Sequence, residues 1–195
     1  VIDGLSFPPP FDAFCQRVFE LHRRDPAGGA ERYHRVLVGY LLRLSSGAPE
    51  LPLVLAGLCQ HLERSSLARD AYPKTTAGYR KWRAELLRFH ARRAREIALE
   101  VGYAEPIAER AEAILLHKAN KRDADGMAIE DAVCLTFLAL ELENFASTRS
   151  DEEVIAILQK TWGKMSDAGR ALALKEEAAQ AFPAASSRLL RAALS

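Results

Sequence analysis

Residues 127–145 read MAIEDAVCLTFLALELENF, and the fold turns on what this stretch can be. Its middle, Ala132 to Leu140, is apolar without alternation and too long for a typical strand, which predicts a helix buried nearly all round at the centre of a helical bundle. Working back from it, Asp123 to Gly126 forms a turn, and a helix from about Pro106 to Asn120 opens on a proline suited to a first turn. Gly102 closes a long helix, Tyr79 to Val101, with Trp82, Leu86, His90, Ile97 and Val101 on its inner stripe and arginines outside. Arg64 to Gly78 has little periodicity and reads as a loop long enough to suspect function. Helices at Leu51 to Leu62, Glu31 to Leu44 and Phe11 to Arg24 precede it, divided by Gly47 with Pro49 and by Asp25-Pro26 with Gly28-Gly29. Forward of the quoted stretch, Ser150 or Asp151 caps a helix to about Trp162, Ser166-Asp167 caps another to Phe182, and a short basic helix follows Pro183. The expectation is all-α, one domain of eight to nine helices over residues 1–195. Residues of about 30–147 carry the candidate site and 150–195 add C-terminal helices.

Composition excludes several classes of function. Lys+Arg of 27 against Asp+Glu of 26 leaves no global field to draw the protein to nucleic acid or an anionic membrane, so any attraction for anions is local. The three cysteines, Cys15, Cys59 and Cys134, are far apart and lack the paired spacing of a zinc knuckle; they read as reduced core thiols. No apolar run approaches the ~20 residues of a membrane span, and no signal peptide is visible, so a cytoplasmic location is expected.

The polar residues of the inner faces follow a pattern. Consecutive helices joined by short loops pack antiparallel, so residues equidistant from a turn share a height in the bundle. His34 and His61 are symmetric about Gly47-Ala48, His61 and His90 about Thr75-Thr76, His90 and His117 about Tyr103, and His117 and Asp131 about Ala124. One layer of four imidazoles and a carboxylate follows. Glu130 and Asp131 are adjacent on a helix, about 100° apart, so one of the two enters a given site, and Asp131 shares the apolar flank of Cys134, Leu135 and Leu138. Such donors converging at ~2.0 to 2.2 Å from a divalent ion can activate water and polarise a phosphoryl oxygen. His22, beside Arg23 and Arg24 at a helix end, reads as a hydrogen-bonded core residue instead.

Residues 60–83, QHLERSSLARDAYPKTTAGYRKWR, add a second signal. Arg64, Arg69, Lys74 and Arg83 suit phosphate oxygens, and Tyr79 and Trp82 offer faces for a base. Lys118 and Lys121 follow His117 and could join the same rim. A nucleotide or other phosphorylated ligand is one reading, and a solvated loop pinned by buried aromatics is the other. The outer arginines Arg88, Arg92, Arg93 and Arg95 read as solvated surface, which argues against a nucleic-acid groove.

The segments QHLERSSLARDAYPKTTAGYRKWRAELLRFHA, IEDAVCLTFLALE and LQKTWGKMS resemble the bacterial and fungal family known as domain of unknown function 4202, a likeness that brings no activity with it. More distantly, the order His34, Gln60-His61, His90, His117 and Asp131 is similar to the HD superfamily of metal-dependent phosphohydrolases, where a first histidine, a His-Asp doublet and a late aspartate hold the ion. The doublet differs here, with Gln60 in the histidine's place and His61 in the aspartate's. His90 and His117 resemble the extra histidines of binuclear members. The resemblance implies an HD-like bundle that holds a divalent metal (Mn, Mg, Fe or Zn) through His34, Gln60, His61, His90, His117 and Asp131. Catalysis would rest on His61, His90, Asp131 and Glu130, and the substrate would be a nucleotide or other phosphate ester held by Arg64, Arg69, Lys74, Tyr79, Trp82, Arg83 and Lys121. The alternative is a non-catalytic module that binds a nucleotide or a protein partner in the same pocket. Gly163-Lys164-Met165-Ser166 resembles part of the KMSKS loop of class I synthetases, but Asp167 breaks that motif and the string reads as a turn with Ser166 as an N-cap.

Overall fold

A computed structural model describes residues 2, 4–117, 120 and 122–195. Ten α-helices occur among them, and no strand: α1 (Phe11–Arg23), α2 (Ala30–Leu44), α3 (Leu51–Cys59), α4 (Thr76–Glu100), α5 (Glu105–Leu116), α6 (Ala124–Thr136), α7 (Leu142–Ala146), α8 (Asp151–Lys164), α9 (Asp167–Ala178) and α10 (Ala184–Leu194). The count exceeds eight to nine because the helix expected at Met127 to Phe145 is divided. A widened π turn, Phe137–Glu141, separates α6 from α7 without turning the chain away. No helix of the described residues is long and apolar enough to cross a membrane.

Sequence chemistry accounts for most of the boundaries. Thr75, Asp123, Ser150 and Ser166 each accept a hydrogen bond from the backbone N–H three residues on, at 3.1, 3.0, 3.3 and 3.1 Å, satisfying a donor that the first helical turn cannot. Two ends fall short of expectation. α3 stops at Cys59 rather than Leu62, and the chain reverses through Glu63 in a left-handed conformation (φ 52°). α5 stops at Leu116, so His117 lies beyond the last helical residue. Two single turns, Arg64–Ser66 and Arg69–Ala71, are the only regular pieces described in the loop before α4.

The centre belongs to α3 as much as to α6. Every residue from Leu53 to Cys59 is buried, because α3 packs against α2, α4, α5 and α6 at once. Such a helix is apolar all round for the same reason that a surface helix is apolar on one stripe. Leu37, Leu41, Leu55, Leu58, Ile97, Ile114, Ile129 and Leu135 fill the space between these elements with no exposed surface. Cys15, Cys59 and Cys134 are all buried, in keeping with their apolar settings.

Gly57 sets the spacing of α2 and α3. A Cβ there would sit 2.5 Å from a methyl of Leu41 and 3.2 Å from one of Leu37, both fully buried. Gly57→Ala is therefore expected to lower stability by about 1–3 kcal/mol through overpacking, read from the midpoint of urea unfolding. An unchanged midpoint would show that the two helices are free to part.

Candidate functional site

The helix end buried in the core determines what surrounds it. The last carbonyls of α3, and those of the turn that follows it, need donors from outside the helix. Imidazoles supply them. His22, from the end of α1, donates from Nε2 to the carbonyl of Leu58 at 2.8 Å. His90, from the middle of α4, donates from Nδ1 to the carbonyl of Leu62 at 2.8 Å. On α2, His34 donates from Nδ1 to Ala30 of its own helix at 2.7 Å. That choice leaves His34 Nε2 as the unprotonated nitrogen of a neutral ring; it is buried and has no hydrogen-bond partner among the described residues, and the same is true of Gln60 Oε1.

The four rings form a file. His22 stacks on His34 with centroids 3.9 Å apart and planes 14° from parallel; His34 lies 6.3 Å from His61, and His61 lies 6.0 Å from His90. The loop symmetries anticipated the last three members. Tyr33, which no sequence pattern singled out, wedges between His34 and His61 at 5.1 and 5.4 Å. His117 and Asp131 stand outside the file. His117, half-exposed just past the end of α5, is bonded through Nδ1 to Asp123 at 3.0 Å. Asp131 accepts from the Ser166 backbone at 2.9 Å and from the Ser166 hydroxyl, at the head of α9. The five-membered layer fails at these two because each ring or carboxylate is held by a partner elsewhere, Asp123 and Ser166, and height in a bundle does not fix facing.

A cavity of about 640 Å³ opens at the far end of the file. Gln60, His61, His90 and Glu130 line it together with Arg64, Tyr79, Trp82, Arg83 and Lys164, and Leu86, Leu87 and Val133 form its apolar wall. Glu130, not Asp131, is thus the acid that α6 presents there. The loop residues divide by task. Trp82 is 6% exposed and donates its indole N–H to the Leu67 carbonyl at 2.8 Å, which pins the loop, while the neighbouring Tyr79 remains 44% exposed. Arg69 donates to the carbonyls of Tyr72 and Pro73 at 3.0 and 3.1 Å and braces the loop without lining the cavity. Lys74 does not line it either. Lys118 and Lys121 lie outside the described residues. Arg64 and Arg83 approach the rings of Trp82 and Tyr79 at 5.3 and 6.0 Å, a spacing that holds a guanidinium over an aromatic face. Outside, Arg92, Arg93 and Arg95 pair with Glu96, Glu63, Glu105 and Glu112, a surface spent on its own ion pairs.

His34, His61 and His90 are not arranged around one tetrahedral ion. An imidazole bound at ~2.1 Å puts its centroid ~3.2 Å from the ion, so two in a tetrahedral site stand ~5.3 Å apart. Separations of 6.0 and 6.3 Å are wider than that. Among the described residues no three His, Cys, Asp or Glu side chains come together in a way that could hold an ion. What the arrangement offers is a concave, partly apolar pocket with two guanidinium groups, an ammonium, a carboxylate and two imidazoles.

The family model for domain of unknown function 4202 matches residues 13–185. No curated protein and no solved structure matches the chain.

The stacked pair makes the fold acid-sensitive. Burial lowers the pKa of both rings below the ordinary 6.5, against smaller opposing effects of the Leu58 and Ala30 carbonyls, and the charge of His22 lowers His34 further. An unfolded chain takes up these protons near pH 6.5 while the folded one does not. Stability is therefore full above that pH and falls as pH drops below it, by at most about 1.4 kcal/mol per pH unit for each ring. His34→Gln is expected to flatten the slope of unfolding free energy between pH 6.5 and 5.5; an unaltered slope would contradict a neutral buried pair.

Proposed function

The chain belongs to the domain of unknown function 4202 family, and we propose that it binds a nucleotide or a closely similar phosphorylated aromatic compound in the cavity lined by the turn after α3, by α4 and α6 and by the end of α8. One observation carries this reading: a single cavity joins paired guanidinium groups, a half-exposed tyrosine and an imidazole–carboxylate wall. Guanidinium forks match phosphate oxygens bidentately, and Arg64 and Arg83 are already held by the aromatic rings beneath them, so little side-chain freedom is lost on binding. Tyr79 supplies a face on which a base can stack. The cavity volume falls within the range that small-molecule sites occupy.

Hydrolysis of a phosphate ester is the second reading. It is favoured by His61, His90 and Glu130 lining the same cavity, where a titratable base and acid would stand beside a phosphate held by the arginines. The dependence on a divalent metal expected from the sequence belongs to this second reading.

Calorimetric titration with adenosine and guanosine 5′-monophosphates, their nucleosides and inorganic pyrophosphate separates these readings. Binding of at least one nucleotide is expected, with its nucleoside about tenfold weaker or worse, and Arg64→Ala or Arg83→Ala should cost a further tenfold or more. No binding by any phosphorylated compound would end the first reading. Phosphate release with added Mn²⁺ or Mg²⁺, abolished in His61→Ala and Glu130→Gln, is expected on the second; binding without release, by protein shown to carry the metal, would leave the first alone standing.

A further inference from the structure

Deepening that reading of the cavity, we infer that Lys164 is a third cationic contact for the ligand's phosphate, and that Asp131 is the residue that positions it. Lys164 is the last residue of α8, and it lines the cavity together with Arg64 and Arg83 although those two lie more than eighty positions earlier in the chain. Its placement is fixed from behind. Met165, the next residue, is buried at 3% exposure, and Ser166 is held by Asp131 through both its backbone N–H and its hydroxyl. The same hydroxyl accepts the Gly169 N–H at 3.1 Å, which caps α9. Position 169 has to be glycine, because a Cβ there would lie 2.4 Å from the Asp131 carboxyl.

These contacts explain why α6 carries two adjacent acids. About 100° of helix rotation separates them. Glu130 faces the cavity, while Asp131 is turned to the α8–α9 junction, where its carboxylate meets two donors at the positive end of a helix. The helix that forms one wall of the cavity therefore also anchors the turn that brings in the lysine. With Arg64, Arg83 and Lys164 against Glu130, the lining carries a surplus of positive charge suited to a phosphate dianion.

The test uses the whole chain with inorganic pyrophosphate as the probe. Lys164→Ala is expected to weaken pyrophosphate binding about tenfold with no change in Tm, Lys164→Arg to retain most of the affinity, and Lys160→Ala, on the exposed face of the same helix, to change nothing. In the unaltered protein, pyrophosphate should protect Lys164 from acetic anhydride, and that protection should diminish in Ser166→Ala, which removes one of the two bonds to Asp131. If Arg64→Ala loses binding while Lys164→Ala binds as the parent does and Lys164 acetylates at the same rate with and without probe, the lysine's role is overturned and the cavity reading stands. If the parent protein binds neither pyrophosphate nor nucleotide, the cavity reading fails and takes this inference with it.

Discussion

A buried helix end is the constraint from which the rest follows. α3 is enclosed on all sides by the helices it packs against, so its C-terminal carbonyls meet protein rather than water, and each one left without a donor would cost about 1–3 kcal/mol. A long cationic side chain could reach such a carbonyl only by burying its charge. A neutral imidazole donates without that penalty and is flat enough to stack. His22 does this at Leu58 of α3, and His90, from a different helix, at Leu62 in the turn that follows. The histidine file is thus first a solution to a hydrogen-bonding problem in the core, and its pocket end becomes available for chemistry because the chain turns outward at Glu63.

Seen this way, the cavity is the place where the core's polar seam reaches the surface. Gln60 and His61 sit where α3 gives way to the reversal, and the loop that follows returns along α4 and brings Arg64 beside Arg83. The loop is held rigidly for one without strand or long helix. Trp82 fixes Leu67, Arg69 holds Tyr72 and Pro73, and Gly78 allows the Pro73 carbonyl to lie where a Cβ would stand only 2.2 Å away. Preorganised cations gain affinity because their ordering cost is met on folding.

The sequence made much of this legible, and unevenly so. Helical periodicity identified the elements because apolar spacing reports directly which face is buried, and serine caps marked the starts of α8 and α9. The order His34, His61, His90 followed from loop symmetry, even though α3 ends before His61. It failed at His117, which lies past the end of α5 and is bonded to Asp123, and at Asp131, where rotation about the helix axis decides the partner. Periodicity contains no information on which of two adjacent acids faces inward when both flanks are buried. Lys164 was invisible for another reason: the string Gly163-Lys164-Met165-Ser166 announces a turn, but only the contact with Asp131, across more than thirty residues, says what that turn approaches. The π turn that divides the long sixth helix leaves no mark in composition.

On the proposed reading, one end of the imidazole file meets a bound phosphate and the other end is sealed in the core. It is tested most directly by long-range ¹H–¹⁵N spectra of the five histidine side chains, recorded while adenosine 5′-monophosphate is titrated in. The largest saturable shifts are expected on His61 and His90, with His22 and His117 unmoved. Saturable binding that moves His117 alone, or that moves none of the five, would contradict it.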